Sequence, residues 1–360
     1  MAHQLSFQLL LPLLLLLTET CVVDMATGSS WTARLGMNRR SLMSHEDDTL
    51  LPPEFVTYFY TQTLDHFNYK PESYTTFQQR YIMNSKYWGG ANTSSPIFVY
   101  TGQESDITQV VSFAGFVVEL ASRFNGLLIY IEHRYYGDSM PFGSENEAFQ
   151  NATTLGFFSS TQALADYAQL IIDLKRNLSA ENCPIIALGG SYGGMLASWF
   201  RLKYPHIAFG ALASSAPILY FDDITPQNGY HVIVSNDFRD TSESCYDTIK
   251  QSWSEIDKVA AESNGLLKLS QIFTTCQPFN YSREVRDNIE IRYIAAAQFD
   301  NPPDNPVSKV CNAIDGAPPG TDILGRVVAG FNASFGDVPC HHVHDFEPSN
   351  KDGWTWQVNI

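Results

Sequence analysis

Basic residues are scarce in this 360-residue chain: Lys and Arg number 22 against 38 Asp and Glu, a net charge of −16. So acidic a surface repels phosphate backbones and anionic headgroups, so neither nucleic acid nor a membrane surface is an expected partner. It suits a protein kept soluble in an acidic compartment. Long apolar runs are also missing. After the leucine-rich stretch from Leu5 to Leu17, no segment is long enough to span a bilayer. No Cys-x-x-Cys or Cys/His ligand spacing occurs, so no metal and no other cofactor is expected. Internal repeats are absent, and low complexity is confined to the leucine run.

What is present describes a packed secreted protein. Apolar residues make up 44% and charged residues 17%, enough for a full core and a second module. Leu5 to Leu17, followed by small and polar residues around Ala26, Thr27 and Gly28, reads as a signal peptide over 1–25. Residues 26–53 read as a leader or propeptide, with Arg39-Arg40 as a processing site. Of six cysteines, Cys21 falls in the signal region; Cys183, Cys245, Cys276, Cys311 and Cys340 remain, and outside the cytosol they favour disulfides over zinc. Five is odd, so one thiol stays unpaired. Sequons at Asn92, Asn151, Asn177, Asn280 and Asn332 fit glycosylation along the same route.

Pro96 to Gly102, Gly126 to Ile131 and Pro184 to Leu188 are short apolar runs of the kind buried in a parallel sheet. Phe55 to Thr61 reads as an edge strand, and Phe209 to Ala213 as one more. Val110 to Phe124 and Ser160 to Leu178 read as helices. In the second, Ser159 and Gln162 have capping spacing, and Leu164, Tyr167, Ala168, Ile171, Leu174 and Leu178 share a face. Strands alternating with helices predict an α/β fold over 54–217. Past Pro217 that rhythm stops, and 218–346 reads as a mostly helical cap inserted into the sheet, with 347–360 as a tail.

Gly189-Gly190-Ser191-Tyr192-Gly193-Gly194 carries Gly-x-Ser-x-Gly between a buried strand and a helix. Such an elbow forces the serine into a strained conformation and requires small residues two positions to either side, here Gly189 and Gly193. Ser191 is therefore the candidate nucleophile, and the Tyr192 N–H half of an oxyanion hole. The second donor is expected after the 96–102 strand, at Gln103, where Gly102 lets the backbone approach a carbonyl. A simple turn explains Gly102-Gln103-Glu104 equally well. Gly102 and Glu104, together with Glu132, His133, Arg134 and Tyr135 after another strand, are expected to line the substrate pocket, His133 otherwise being structural, because in this fold the base follows the serine. Downstream lie His206, His231, His341, His342 and His344, none in the setting of a triad histidine; the last three with Asp345 form a loop cluster lacking the helical spacing of a metal site.

Gln62 to Phe67, Tyr100 to Glu104, Glu132 to Gly143, Phe158 to Ala168 and Gly189 to Pro217 together resemble the family of lysosomal Pro-Xaa carboxypeptidase and dipeptidyl peptidase 2, most closely its carboxypeptidase branch. The resemblance runs from about Glu54 to Gln357. It implies an α/β-hydrolase domain with a disulfide-linked helical cap, Ser191 as the acylated serine, and hydrolysis of peptides next to proline. It implies the pairs Cys245–Cys311 and Cys276–Cys340, with Cys183 left as an inert thiol. Family members continue past the Gly353-Trp354-Thr355-Trp356-Gln357 pattern to closing strands and the triad Asp and His. This chain ends at Ile360, so the last strands of the sheet and both triad partners are expected to be missing and the chain nearly inactive. Dipeptidyl aminopeptidase action and a non-catalytic secreted fragment are the alternatives. The expected partner is a peptide substrate, the expected location the lysosome, vacuole or extracellular space, and a homodimer stays open.

Overall fold

The computed structural model describes residues 51–113, 115–221, 224–334, 338–343 and 353–358. The expected signal peptide, the leader up to residue 50, His344 and Asp345 lie outside the described residues.

Six strands, β1 (Val56–Thr63), β2 (Thr76–Asn84), β3 (Ile97–Thr101), β4 (Leu127–Ile131), β5 (Ile185–Gly190) and β6 (Ala208–Ser214), form one sheet in the order β1-β2-β4-β3-β5-β6. β2 pairs antiparallel with β1 and β4, and all remaining pairs are parallel. This is an α/β-hydrolase sheet. Strand β2 escapes the hydropathy pattern because Gln79 and Arg80 interrupt it; both are buried, Gln79 bonded to Gln62 and to the Glu132 carbonyl, and Arg80 ion-paired with Glu132, Asp106 and Asp138.

β3 and β4 are buried along their whole length because helices cover both faces. Side chains alternate between two cores. Phe98, Tyr100, Leu128 and Tyr130 meet helices α1 (Ile107–Phe113) and α2 (Gly115–Phe124). Val99, Ile129 and Ile131 meet α3 (Ser160–Asn177) and α4 (Ser191–Lys203). The helix expected over Val110 to Phe124 begins earlier, at Ile107, and is described on either side of residue 114. Helix α3 opens as its sequence predicts: the Ser159 hydroxyl accepts from the Gln162 N–H, and Leu164, Tyr167, Ala168, Ile171 and Leu174 are buried.

Beyond the sheet, α5 (Gly229–Thr241), α6 (Glu243–Ala260), α7 (Gly265–Ile272), α8 (Ser282–Gln298), α9 (Pro306–Asp315) and α10 (Ile323–Ala333) pack around a separate apolar core that includes Phe238, Ile256, Val285, Val310 and Val327. Cys245 of α6 is bonded to Cys311 of α9, and Cys276 to Cys340. Cys183 is buried and free, its thiol pKa raised by burial. A last short helix, α11 (Gly353–Val358), sits against Phe158, and the Tyr136 hydroxyl donates to Gln357 Oε1 at 2.9 Å. All five sequon asparagines are exposed. Among the described residues no helix is long and apolar enough to cross a membrane.

The outer side of β6 has no strand partner among the described residues, and Phe209 and Leu212 on it are exposed, Phe209 by 75%. An unpaired apolar edge of this kind is a template for strand pairing.

The two bridges span 66 and 64 residues. Closing loops of that length removes unfolded-state entropy worth about 4 kcal/mol each. Replacing Cys245 and Cys311 by Ser is therefore expected to lower the unfolding transition of the cap in a thermal scan by many degrees. The substitution Cys183→Ala should leave that transition in place.

Candidate active site

The candidate site begins where β5 ends. The chain passes from Gly190 at φ −115° to Ser191 at φ 53°, and α4 starts at once. A serine in the left-handed region stores about 1–3 kcal/mol of backbone strain, which the surroundings must hold in place. They do so by close approach. A Cβ on Gly189 would lie 2.1 Å from the Gly193 carbonyl oxygen, and one on Gly193 would lie 2.6 Å from the Thr101 carbonyl oxygen. The Thr101 hydroxyl reaches across from β3, 2.6 Å from the Gly193 carbonyl and 3.0 Å from that of Leu188. Ser191 is left exposed at the N-terminus of α4, where backbone N–H groups without helical partners give a partial positive charge.

Tyr192 and Gln103 come to the same place. Gly102 is pinned from both sides: its N–H donates to Ile131 O at 2.8 Å, and its carbonyl accepts from the Tyr167 hydroxyl at 3.1 Å. A Cβ on Gly102 would lie 2.4 Å from Ile131 O, so the approach of the 102–104 turn depends on glycine. Gln103 is buried, and its Cβ is 3.4 Å from where a Cβ on Gly193 would sit. Glu104 continues the turn, half-buried beside the elbow residues.

Tyr192 is anchored through its phenol. His133 Nδ1 lies 2.6 Å from the Arg134 carbonyl, which can only accept, so Nδ1 carries the proton. Nε2 is then an acceptor for the Tyr192 hydroxyl at 3.0 Å. Burial, reinforced by the neighbouring Arg134 charge, lowers the His133 pKa to about 4, so the ring stays neutral even in mildly acidic surroundings. His133 is thus structural.

Pocket lining is corrected for Glu132, Arg134 and Tyr135, which turn inward and are fully buried. A buried charge must be matched donor for acceptor, and these are. Arg134 places its five N–H groups on Asp166, through both oxygens, and on the carbonyls of Thr63, Leu64 and Phe157. Asp166 also accepts from His66 at 2.8 Å. Glu132 accepts from Arg80, the Ile107 N–H, and the N–H and hydroxyl of Ser139. Tyr135 stacks on Phe158, centroids 4.7 Å apart. Asp65 is buried, which alone would raise its pKa, but donors from Phe67, Asn68, Gln162 and Ser73 hold it at about 2.

Asp166 and Asp65 were the residues missed. The signal was there: Gln162 and Asp166 lie four residues apart on an otherwise apolar helix face.

Among the described residues, nothing hydrogen-bonds the Ser191 hydroxyl. His66 and His133 are engaged as above, His231 pairs with Glu290 at 3.1 Å, and His341 meets Asn332 at 3.0 Å. His206 and His342 are exposed. No group of three His, Cys, Asp or Glu that could hold a metal occurs among the described residues.

The serine carboxypeptidase S28 family model matches residues 62–338. Lysosomal Pro-X carboxypeptidase of Homo sapiens is 36% identical over 340 residues, covering 88% of this chain and 67% of that protein. Its counterpart in Mus musculus is 38% identical over 276 residues, covering 73% and 55%. The chain thus spans about two thirds or less of these relatives. A peroxisomal alpha-beta-hydrolase from Saccharomyces cerevisiae superposes with a TM-score of 0.31 at 12% identity, covering 51% of this chain and 53% of that one, too loosely to carry weight.

The buried imidazole makes stability depend on pH. The unfolded chain protonates His133 below pH 6.5, whereas the folded protein does so only near pH 4. Its contribution is therefore present above 6.5 and lost as the pH falls toward 4, about 3 kcal/mol in all. Urea midpoints measured across that range should fall with pH, and His133→Asn should flatten the slope.

Proposed function

Because the chain belongs to the serine carboxypeptidase S28 family, we propose that its parent activity is removal of the residue after a penultimate proline, through an acyl-enzyme at Ser191. The observation that carries this reading is the strained, exposed Ser191 at the start of α4, with the Tyr192 main chain and Gln103 gathered beside it. Ser191 Oγ bonds to the carbonyl carbon as the C=O π pair moves to oxygen. The N–H groups of Tyr192 and Gln103 then receive the oxyanion, and its collapse breaks the C–N bond. Water later releases the acid. The preference for proline and for the carboxyl end is supported by the Pro-X carboxypeptidase relatives.

Both proton transfers need a base that the described residues do not bring to Ser191. Without one the hydroxyl is a weak nucleophile, and losing a triad member costs about 10⁴-fold or more. The two disulfides, the exposed sequons and the lysosomal relatives support a place in the secretory or lysosomal route.

Product analysis of two peptides tests this. From an oligopeptide ending in Pro-Phe, these 360 residues should release Phe only at a slow residual rate, removed by Ser191→Ala. Rapid turnover would show that the base is already in place. Release of an amino-terminal Ala-Pro dipeptide from a second peptide would transfer the reading to dipeptidyl aminopeptidase action.

A further inference from the structure

Between α5, α6 and α8 lies a half-open cavity of about 380 Å³, with no strand of the sheet in its lining. A volume of this size accepts an aromatic ring with a short chain. The wall is apolar: Val234 and Phe238 of α5 and Ile294 of α8 are buried, and Trp253 of α6 adds a large half-buried ring.

Two polar features belong to this lining. Tyr293 lines it, is 5% exposed, and its buried hydroxyl has no hydrogen-bond partner among the described residues. The second feature is charge. Arg286 is committed to Asp257, and His231 to Glu290. Lys250 has no salt bridge among the described residues; its ammonium lies 5.7 Å from the centre of the Tyr246 ring and it is exposed. The cavity thus carries a surplus cation in a chain of net charge −16, over an aromatic wall.

We propose that this cavity is a binding site for an apolar monocarboxylate, its hydrocarbon or aromatic body against Phe238 and Trp253 and its carboxylate at Lys250. Either a free aryl or alkyl acid or the carboxyl end of a peptide ending in an aromatic residue presents this chemistry. Ser191 plays no part in the site.

Calorimetric titration of the whole chain with 4-phenylbutyrate, with 4-phenylbutanol as the uncharged control, tests the proposal. Saturable binding of the acid in the millimolar range or tighter is expected, with the alcohol about tenfold weaker. Lys250→Gln, a change at an exposed position, should weaken the acid by the same factor and leave the alcohol unchanged. Val234→Trp, which fills the cavity, should abolish both. Equal affinity for acid and alcohol, no response to Lys250→Gln, or no saturable binding would overturn the site. N-acetyl-Ala-Ala-Phe in the same titration separates the sources: tighter binding than phenylbutyrate assigns a peptide end, and weaker binding a free acid. The Ser191→Ala variant should bind unchanged, so failure of the peptidase reading and failure of this one are distinguishable.

Discussion

Two absent methyl groups hold the candidate site together. The α4 backbone can turn back onto β5 only because Gly189 and Gly193 carry no Cβ; with side chains there, atoms would meet at 2.1 and 2.6 Å, far inside contact distance. That closeness lets the Thr101 hydroxyl reach the Gly193 carbonyl and tie β3 to the helix. It also brings the turn after β3 against the elbow, so Gln103 and Tyr192 share one corner. The strain at Ser191 is sustained by the packing of α4 against β5 and β3.

Beneath that corner lies a buried polar frame. The strings Leu64 to Phe67, Glu132 to Gly137 and Gln162 to Ala168 are far apart in the chain, yet their side chains form one network around Arg134 and Asp166. A buried ion pair is no bargain in itself, because desolvation offsets the Coulomb attraction. Its effect here is positional. With all five donors used, Arg134 fixes β1, the loop after β4 and α3 relative to one another. Its carbonyl sets the His133 tautomer, which in turn orients Tyr192.

How much of this could be read from the residues follows from what each residue meets. Apolar runs buried on both faces, as in β3, β4 and β5, are legible because burial dictates composition. The elbow is legible because its steric needs are written as glycines at fixed offsets. Strand β2 was hidden because Gln79 and Arg80 are buried polar residues, and burial of polarity depends on partners distant in the chain. For the same reason Glu132 and Arg134 suggested a pocket and proved to be framework. The disulfide pairing came from family resemblance; spacing alone leaves the pairing open.

The strained turn itself can be measured apart from any activity. Ser191→Gly removes the Cβ that makes φ 53° costly, so it should raise the unfolding free energy in urea by about 1 kcal/mol, while Ser191→Ala should not. Were Ser191 an ordinary first residue of a helix, glycine would instead lower stability by about 0.5–1 kcal/mol, and that loss would contradict the account.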